Sequence, residues 1–204
     1  GLFDQMTFFP DQHHLLFAAG YGKAFWQYDL YTQKISRVYE NIGNEAFDQP
    51  FFSSDGKLLA FGGSICTETE NNPTCRWVLN LYDANTGKLI RKIPENGLDK
   101  WEDMQVYAFS PDNQLVATGG SGNVVRVWDV ASGTLTYNLP HESDVQSLSF
   151  SPDGSVLVSA GLDAAVRFWD MQDGKSLFVL HGTVDEFYQN AAYIDEGGKL
   201  LVNY

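Results

Sequence analysis

Cysteine is scarce in this chain, with two among 204 residues. Cys66 and Cys75 would need two further ligands to hold zinc, and the segment between them supplies neither Cys nor His. A disulfide or two free thiols remain. Basic residues are also few, 13 Lys and Arg against 26 Asp and Glu for a net charge of −13. A field of that sign repels phosphates and anionic headgroups, which argues against nucleic acid as a partner. No apolar run approaches the roughly 18 residues of a membrane-spanning helix, so no membrane insertion is expected within this segment, and no secretory signal is visible at the start. Gly-x-Ser-x-Gly, P-loop and His-Glu-x-x-His motifs are all missing, and Gly119-Gly120-Ser121-Gly122 reads as a turn, not a phosphate cradle. Neither a catalytic centre nor a cofactor is expected.

What the chain has is a repeat. In its cleanest copy, His141 to Asp170, the turn Ser151-Pro152-Asp153-Gly154 follows Phe150 and precedes the apolar run Val156-Leu157-Val158, and a further run closes on Trp169-Asp170. Proline sets φ, aspartate offers an Asx hydrogen bond and glycine tolerates positive φ, so the flanking runs are expected to form a hairpin. Phe150 stands 20 residues before Asp170, as Phe109 does before Asp129 and Phe9 before Asp29. Phe52 stands 31 residues before Asp83, so about eleven residues are inserted there, placed by alignment from both sides at Ile65 to Cys75.

The stretches FSPDGSVLVSAGLDAAVRFWD and FSPDNQLVATGGSGNVVRVWD resemble WD repeats. The resemblance implies an all-β fold: a β-propeller of four-stranded antiparallel blades. At about 40 to 45 residues per repeat, the chain holds four full copies and part of a fifth, at about 5–40, 46–94, 104–139, 145–180 and 187–204. The reading is therefore an incomplete propeller, one piece of a longer protein that forms an open arc, in a single domain.

His141, Ser159 and Asp163 are the residue types of a hydrolase triad. The WD-repeat resemblance implies instead that these three and Trp169 form a structural hydrogen-bond tetrad inside the blade. The other copies are incomplete: copy three has Thr118 and Trp128 but Gly122 at the Asp position, and copies one and two carry Ala18 and Phe61 for Ser, Tyr28 and Tyr82 for Trp. The pair His13-His14 reads as a solvated turn, not a metal site.

Antiparallel blades put the a-to-b and c-to-d turns at one end and the b-to-c turns and d-to-a crossings at the other. The first end receives Lys34, Lys57, Lys88, Lys175 and Lys199. The second receives the insertion and the acidic residues Glu45, Glu102, Asp103, Glu142, Asp144, Asp185 and Glu186, interleaved with Trp101 and other aromatics. Aromatic anchors in a field of one sign describe a recognition surface. The expected function is a noncatalytic interaction scaffold or sensor module for a protein or peptide, with a basic one matching the charge. Alternatives are part of a propeller enzyme, or a cation- or peptide-binding propeller whose site lies partly in further blades. Cys66 and Cys75 are expected to pair, which would place the protein outside the cytoplasm, secreted or periplasmic; free thiols would place it inside.

Overall fold

The computed structural model describes residues 3–19, 24–40, 46–67, 74–99, 104–182, 190–193 and 199–203, and every regular element among them is a β-strand. Contacts divide the chain into two compact units, Gly1–Trp101 and Glu102–Tyr204. The first contains β1 (Phe3–Phe8), β2 (His14–Ala19), β3 (Ala24–Asp29) and β4 (Lys34–Glu40) in one sheet, and β5 (Ala46–Phe52), β6 (Leu58–Thr67), β7 (Thr74–Asp83) and β8 (Leu89–Asp99) in another. In the second unit β9 (Met104–Phe109), β10 (Leu115–Gly120), β11 (Val124–Asp129) and β12 (Leu135–Pro140) form one sheet and β13 (Val145–Phe150), β14 (Val156–Gly161), β15 (Ala165–Asp170) and β16 (Ser176–His181) the next. A two-stranded sheet of β17 (Asn190–Tyr193) and β18 (Leu200–Asn203) follows. Each four-stranded sheet keeps sequence order and is antiparallel throughout.

The turns explain why the blades repeat. Ser53, Ser110 and Ser151 each donate their hydroxyl to the aspartate two residues on, at 2.8, 2.6 and 2.6 Å, and each accepts an amide from the opening of the next strand. The aspartate that ends the third strand has the same use at the other turn. Asp83 accepts the amide of Thr86, Asp129 that of Ser132 and Asp170 that of Gln172, each at 2.7 Å. Short polar side chains that close turns on the backbone fix hairpin register locally.

Burial follows position within the blade. The second strand is covered on both faces, as β14 shows from Leu157 to Gly161, so its sequence is continuously apolar or small. The fourth is the outer strand, and β16 is exposed along most of its length. In the second unit Ala117, Val127, Val145, Leu157 and Trp169 belong to one core between adjacent sheets. Gly119 permits that contact, because a Cβ there would lie 2.9 Å from Val145 Cγ1. In the first unit the core is aromatic, built on Phe9, Phe25, Tyr39, Phe61 and Tyr82.

Two details concern the ends of the strands. β1 starts at Phe3, which pairs with Ala19 beyond an irregularity that adds one residue. The described part of the inserted segment continues the blade's own ladder: β6 and β7 have ten residues each, and their register runs unbroken from Leu58↔Asp83 to Thr67↔Thr74.

Candidate functional site

The best-defined polar constellation joins a crossing to a turn. His141 follows β12, Asp163 sits between β14 and β15, Ser159 lies inside β14, and Arg167 and Trp169 are on β15. His141 Nε2 lies 2.7 Å from Ser159 Oγ, and Trp169 Nε1 donates to the same oxygen at 2.8 Å. Ser159 is fully buried, and Trp169 and His141 are nearly so. Asp163 Oδ2 accepts from Arg167 Nη1 at 2.5 Å and from the Glu142 amide at 3.0 Å, and lies 3.4 Å from His141 Nδ1.

Arg167 was absent from the sequence reading. Its Nη1 reaches both His141 Nδ1, at 2.9 Å, and Asp163, and so stands between two members of the expected tetrad. A guanidinium only donates, so Nδ1 accepts, the imidazole is neutral, and Nε2–H donates to Ser159. Burial first, and the Arg167 charge second, push His141 down to about 4 against the pull of Asp163. Burial alone would raise the Asp163 carboxyl, but the Glu142 amide and Arg167 outweigh it and hold it below its ordinary value. This arrangement is not that of a nucleophile and its base. Ser159 Oγ receives two donors in a closed interior, and the nitrogen facing it carries a proton instead of accepting one.

The network's consequence is positional. Asp163 holds the Glu142 amide, and Leu162 N–H donates to Asp144 O at 2.9 Å, so the crossing that carries Glu142 and Asp144 is fastened to the β14–β15 turn. Gly161 admits this approach, because a Cβ there would meet Asp144 O and His141 Nδ1 at 2.9 Å each. Of the acidic and aromatic residues assigned to this end, Glu142 is exposed and Asp144 partly so. Glu45, Trp101, Glu102, Asp103, Asp185 and Glu186 lie outside the described residues.

Elsewhere the tetrad thins out. Trp128 Nε1 donates to Thr118 Oγ1 at 3.1 Å in the third sheet. In the first unit aromatic contacts take its place: Phe25 and Phe61 lie 4.3 Å apart between ring centroids, and Phe61 and Tyr82 lie 5.3 Å apart. Tyr39 donates its hydroxyl to Ala84 O at 2.8 Å, fastening β4 to the end of β7.

The a-to-b and c-to-d turns, read above by their lysines, carry aspartates as well. In the first unit Asp11, Asp29 and Asp55, and in the second Asp112 and Asp153, sit in turns of this kind, each accepting a backbone amide. Side-chain donation from Ser151 and the Ser155 amide push Asp153 down to about 2, and the Lys57 amide leads the same shift at Asp55. At these turns the carboxylates are hairpin parts. The turn pair His13-His14 belongs to this set, with both amides on Asp11 Oδ1 and His14 Nδ1 2.6 Å from Asp11 Oδ2. Among the described residues no group of three or more His, Cys, Asp or Glu is placed to hold a metal ion, and no helix is long and apolar enough to cross a membrane.

Repeated four-stranded antiparallel blades, three of them closed by Ser/Asp and Asp/Gly turns, define the chain as a β-propeller type of repeat protein. Residues 102–129 and 133–170 match the WD domain, G-beta repeat model. Over these residues the chain carries WD repeats. It is similar to the WD repeat-containing protein pop1 of Schizosaccharomyces pombe, with 37% identity over 60 residues, which cover 29% of this chain and 7% of that protein. It is also similar to the target of rapamycin complex subunit wat1 of the same organism, with 27% identity over 136 residues, covering 66% of this chain and 38% of that protein. The chain thus spans less than half the length of either relative.

Proposed function

We propose that this chain is a noncatalytic interaction scaffold or sensor module that receives a protein or peptide of basic character on the blade end carrying the b-to-c turns and crossings. The observation that carries the reading is the fastening of the Glu142–Asp144 crossing to Asp163, which presents carboxylates on a fixed backbone. Carboxylates at the opposite end are engaged by their own turn amides, whereas Glu142 stands exposed on a crossing. The similarity to a complex subunit agrees with a part in an assembly. Like-signed groups of this kind act mainly on encounter rate, so the surface selects partners by charge before contact. The compartment follows the state of Cys66 and Cys75: extracytoplasmic if they are bonded, cytoplasmic if they are free.

Matched sets of lysine-rich, neutral and acidic peptides, titrated onto the whole protein at several salt concentrations, test this. The basic set should bind, with affinity falling steeply as salt rises. Reversal of Glu102, Asp103, Glu142 and Asp144 to Lys should slow association by about tenfold or more and remove most of the salt dependence. Binding indifferent to all four reversals rejects the face, and turnover in a hydrolase or oxidoreductase screen, abolished by a single substitution, rejects the scaffold.

A further inference from the structure

The chain's only two cysteines occupy one rung of the β6–β7 ladder, where Cys66 is the direct Cα partner of Cys75. Antiparallel rungs alternate between hydrogen-bonded and non-hydrogen-bonded pairs, and one hydrogen bond fixes the alternation. Ala84 N–H donates to Lys57 O at 2.8 Å, which makes Lys57/Ala84 a hydrogen-bonded pair. Counting along the unbroken register from Leu58↔Asp83 outward puts Cys66/Cys75 in the non-hydrogen-bonded class. In that class Cα atoms stand about 4.5 Å apart with the side chains at their closest. This spacing falls within the roughly 4.4 to 6.8 Å that disulfides span.

Among the described residues the same rung lies beyond the pairing of the flanking strands. β5 pairs with β6 only as far as Ser64, and β8 pairs with β7 only as far as Arg76. Beyond those residues Cys66↔Cys75 and Thr67↔Thr74 belong to a ribbon of two strands among the described residues. Two strands alone are marginal in water, so a covalent tie at this rung has a physical task.

We propose that Cys66 and Cys75 form a cross-strand disulfide that locks the outer part of the β6–β7 hairpin, making this extension a redox-set element of an otherwise fixed blade. The oxidant is a disulfide of the glutathione class. One cysteine thiolate attacks it, releasing one glutathione thiol and leaving a mixed disulfide. The second cysteine thiolate then displaces the other glutathione thiol. One sulfur–sulfur bond is broken and one formed, two electrons pass to glutathione, and the two cysteine protons end on its two thiols. The inference rests on backbone register and thiol chemistry, independent of the proposed partner face.

The whole protein is equilibrated in glutathione buffers of graded oxidised-to-reduced ratio, quenched with acid, alkylated and weighed intact. Both thiols should escape alkylation together, in molecules that carry no glutathione. Oxidation should also slow amide exchange across Ile65–Thr67 and Thr74–Arg76 by roughly tenfold or more, reversibly, and leave β14 and β15 unchanged. Cys66→Ser in the same series should instead accumulate Cys75 capped by glutathione. Alkylation of both cysteines at every ratio, or capping of each by glutathione in the unsubstituted protein, overturns the proposal, as does exchange that oxidation leaves unchanged.

Discussion

Arg167 Nη1 lies 2.9 Å from His141 Nδ1, and this contact decides where the imidazole keeps its proton. With Nδ1 accepting from the guanidinium, only Nε2 is left to donate to Ser159. Protonation would set an N–H of His141 against an N–H of Arg167 in a site with no water-exposed edge on the histidine. The neutral form is therefore part of the folded state.

Stability should accordingly fall with acid in a window set by His141. The group binds a proton near 6.5 when unfolded and near 4 when folded, so the unfolded chain takes up more protons between those values. The stabilisation is complete above about pH 6.5 and is lost as pH falls toward 4, amounting to about 3 kcal/mol by linkage. Urea unfolding across that range should show the loss, and His141→Gln should be less stable at pH 7 but flatter with pH. Arg167→Gln removes a charge that opposes protonation, so the His141 resonance should titrate at higher pH. An ordinary titration of His141 in the unsubstituted protein would contradict the closed network.

Ser159 and Thr118 occupy equivalent places in adjacent blades but accept different numbers of donors. Ser159→Ala leaves two buried N–H groups, those of His141 and Trp169, without their acceptor. Thr118→Val leaves the Trp128 N–H. At about 1 to 3 kcal/mol for each orphaned buried donor, the serine change should cost about 3 kcal/mol and the threonine change roughly half of that by denaturant titration. Equal costs would show that the fourth blade gains nothing from its extra member.

The blades were legible in the sequence because their determinants are local. Phe150-Ser151-Pro152-Asp153-Gly154 closes one hairpin through Ser151 and Asp153, and Asp170 closes another, without reference to anything distant. Arg167 was not legible. Arg167 stands two residues before Trp169, and nothing local in the sequence says that its partners are His141, 26 positions away, and Asp163 in the preceding turn. Tyr39 was hidden for the same reason, since its acceptor on Ala84 is 45 positions away. The carboxylates of the turn end were visible as residues but not as partners: composition gives their sign, and only the turn geometry shows that backbone amides already hold them.

Tyr39→Phe isolates one such distant tie. The substitution keeps the ring against the aromatic core and deletes the hydroxyl that donates to Ala84 O at 2.8 Å and to Gln27 Oε1 at 3.3 Å. A loss of about 1 to 2 kcal/mol is expected, read by denaturant unfolding followed through signals of the first unit. No loss would mean that ring packing alone joins β4 to the end of β7.

Gly161→Ala should separate the fastening of the crossing from the chemistry of the network, because it removes no donor and no acceptor. The added methyl would stand 2.9 Å from Asp144 O, a backbone atom, and 2.9 Å from the His141 ring. Neither can yield as the tip of a flexible side chain would: Asp144 O accepts from Leu162 N–H, and His141 is held from both ring nitrogens. The crossing must move away from the β14–β15 turn, at a cost of about 1 to 3 kcal/mol for overpacking. Displacement carries Glu142 and Asp144 with it and lengthens the reach from Asp163 to the Glu142 amide. Three readouts should therefore change together: lower unfolding stability, faster exchange at the Glu142 and Leu162 amides, and a His141 titration shifted up toward its ordinary value. Unchanged exchange at both amides in a folded Gly161→Ala protein would show that the crossing is not held by this contact.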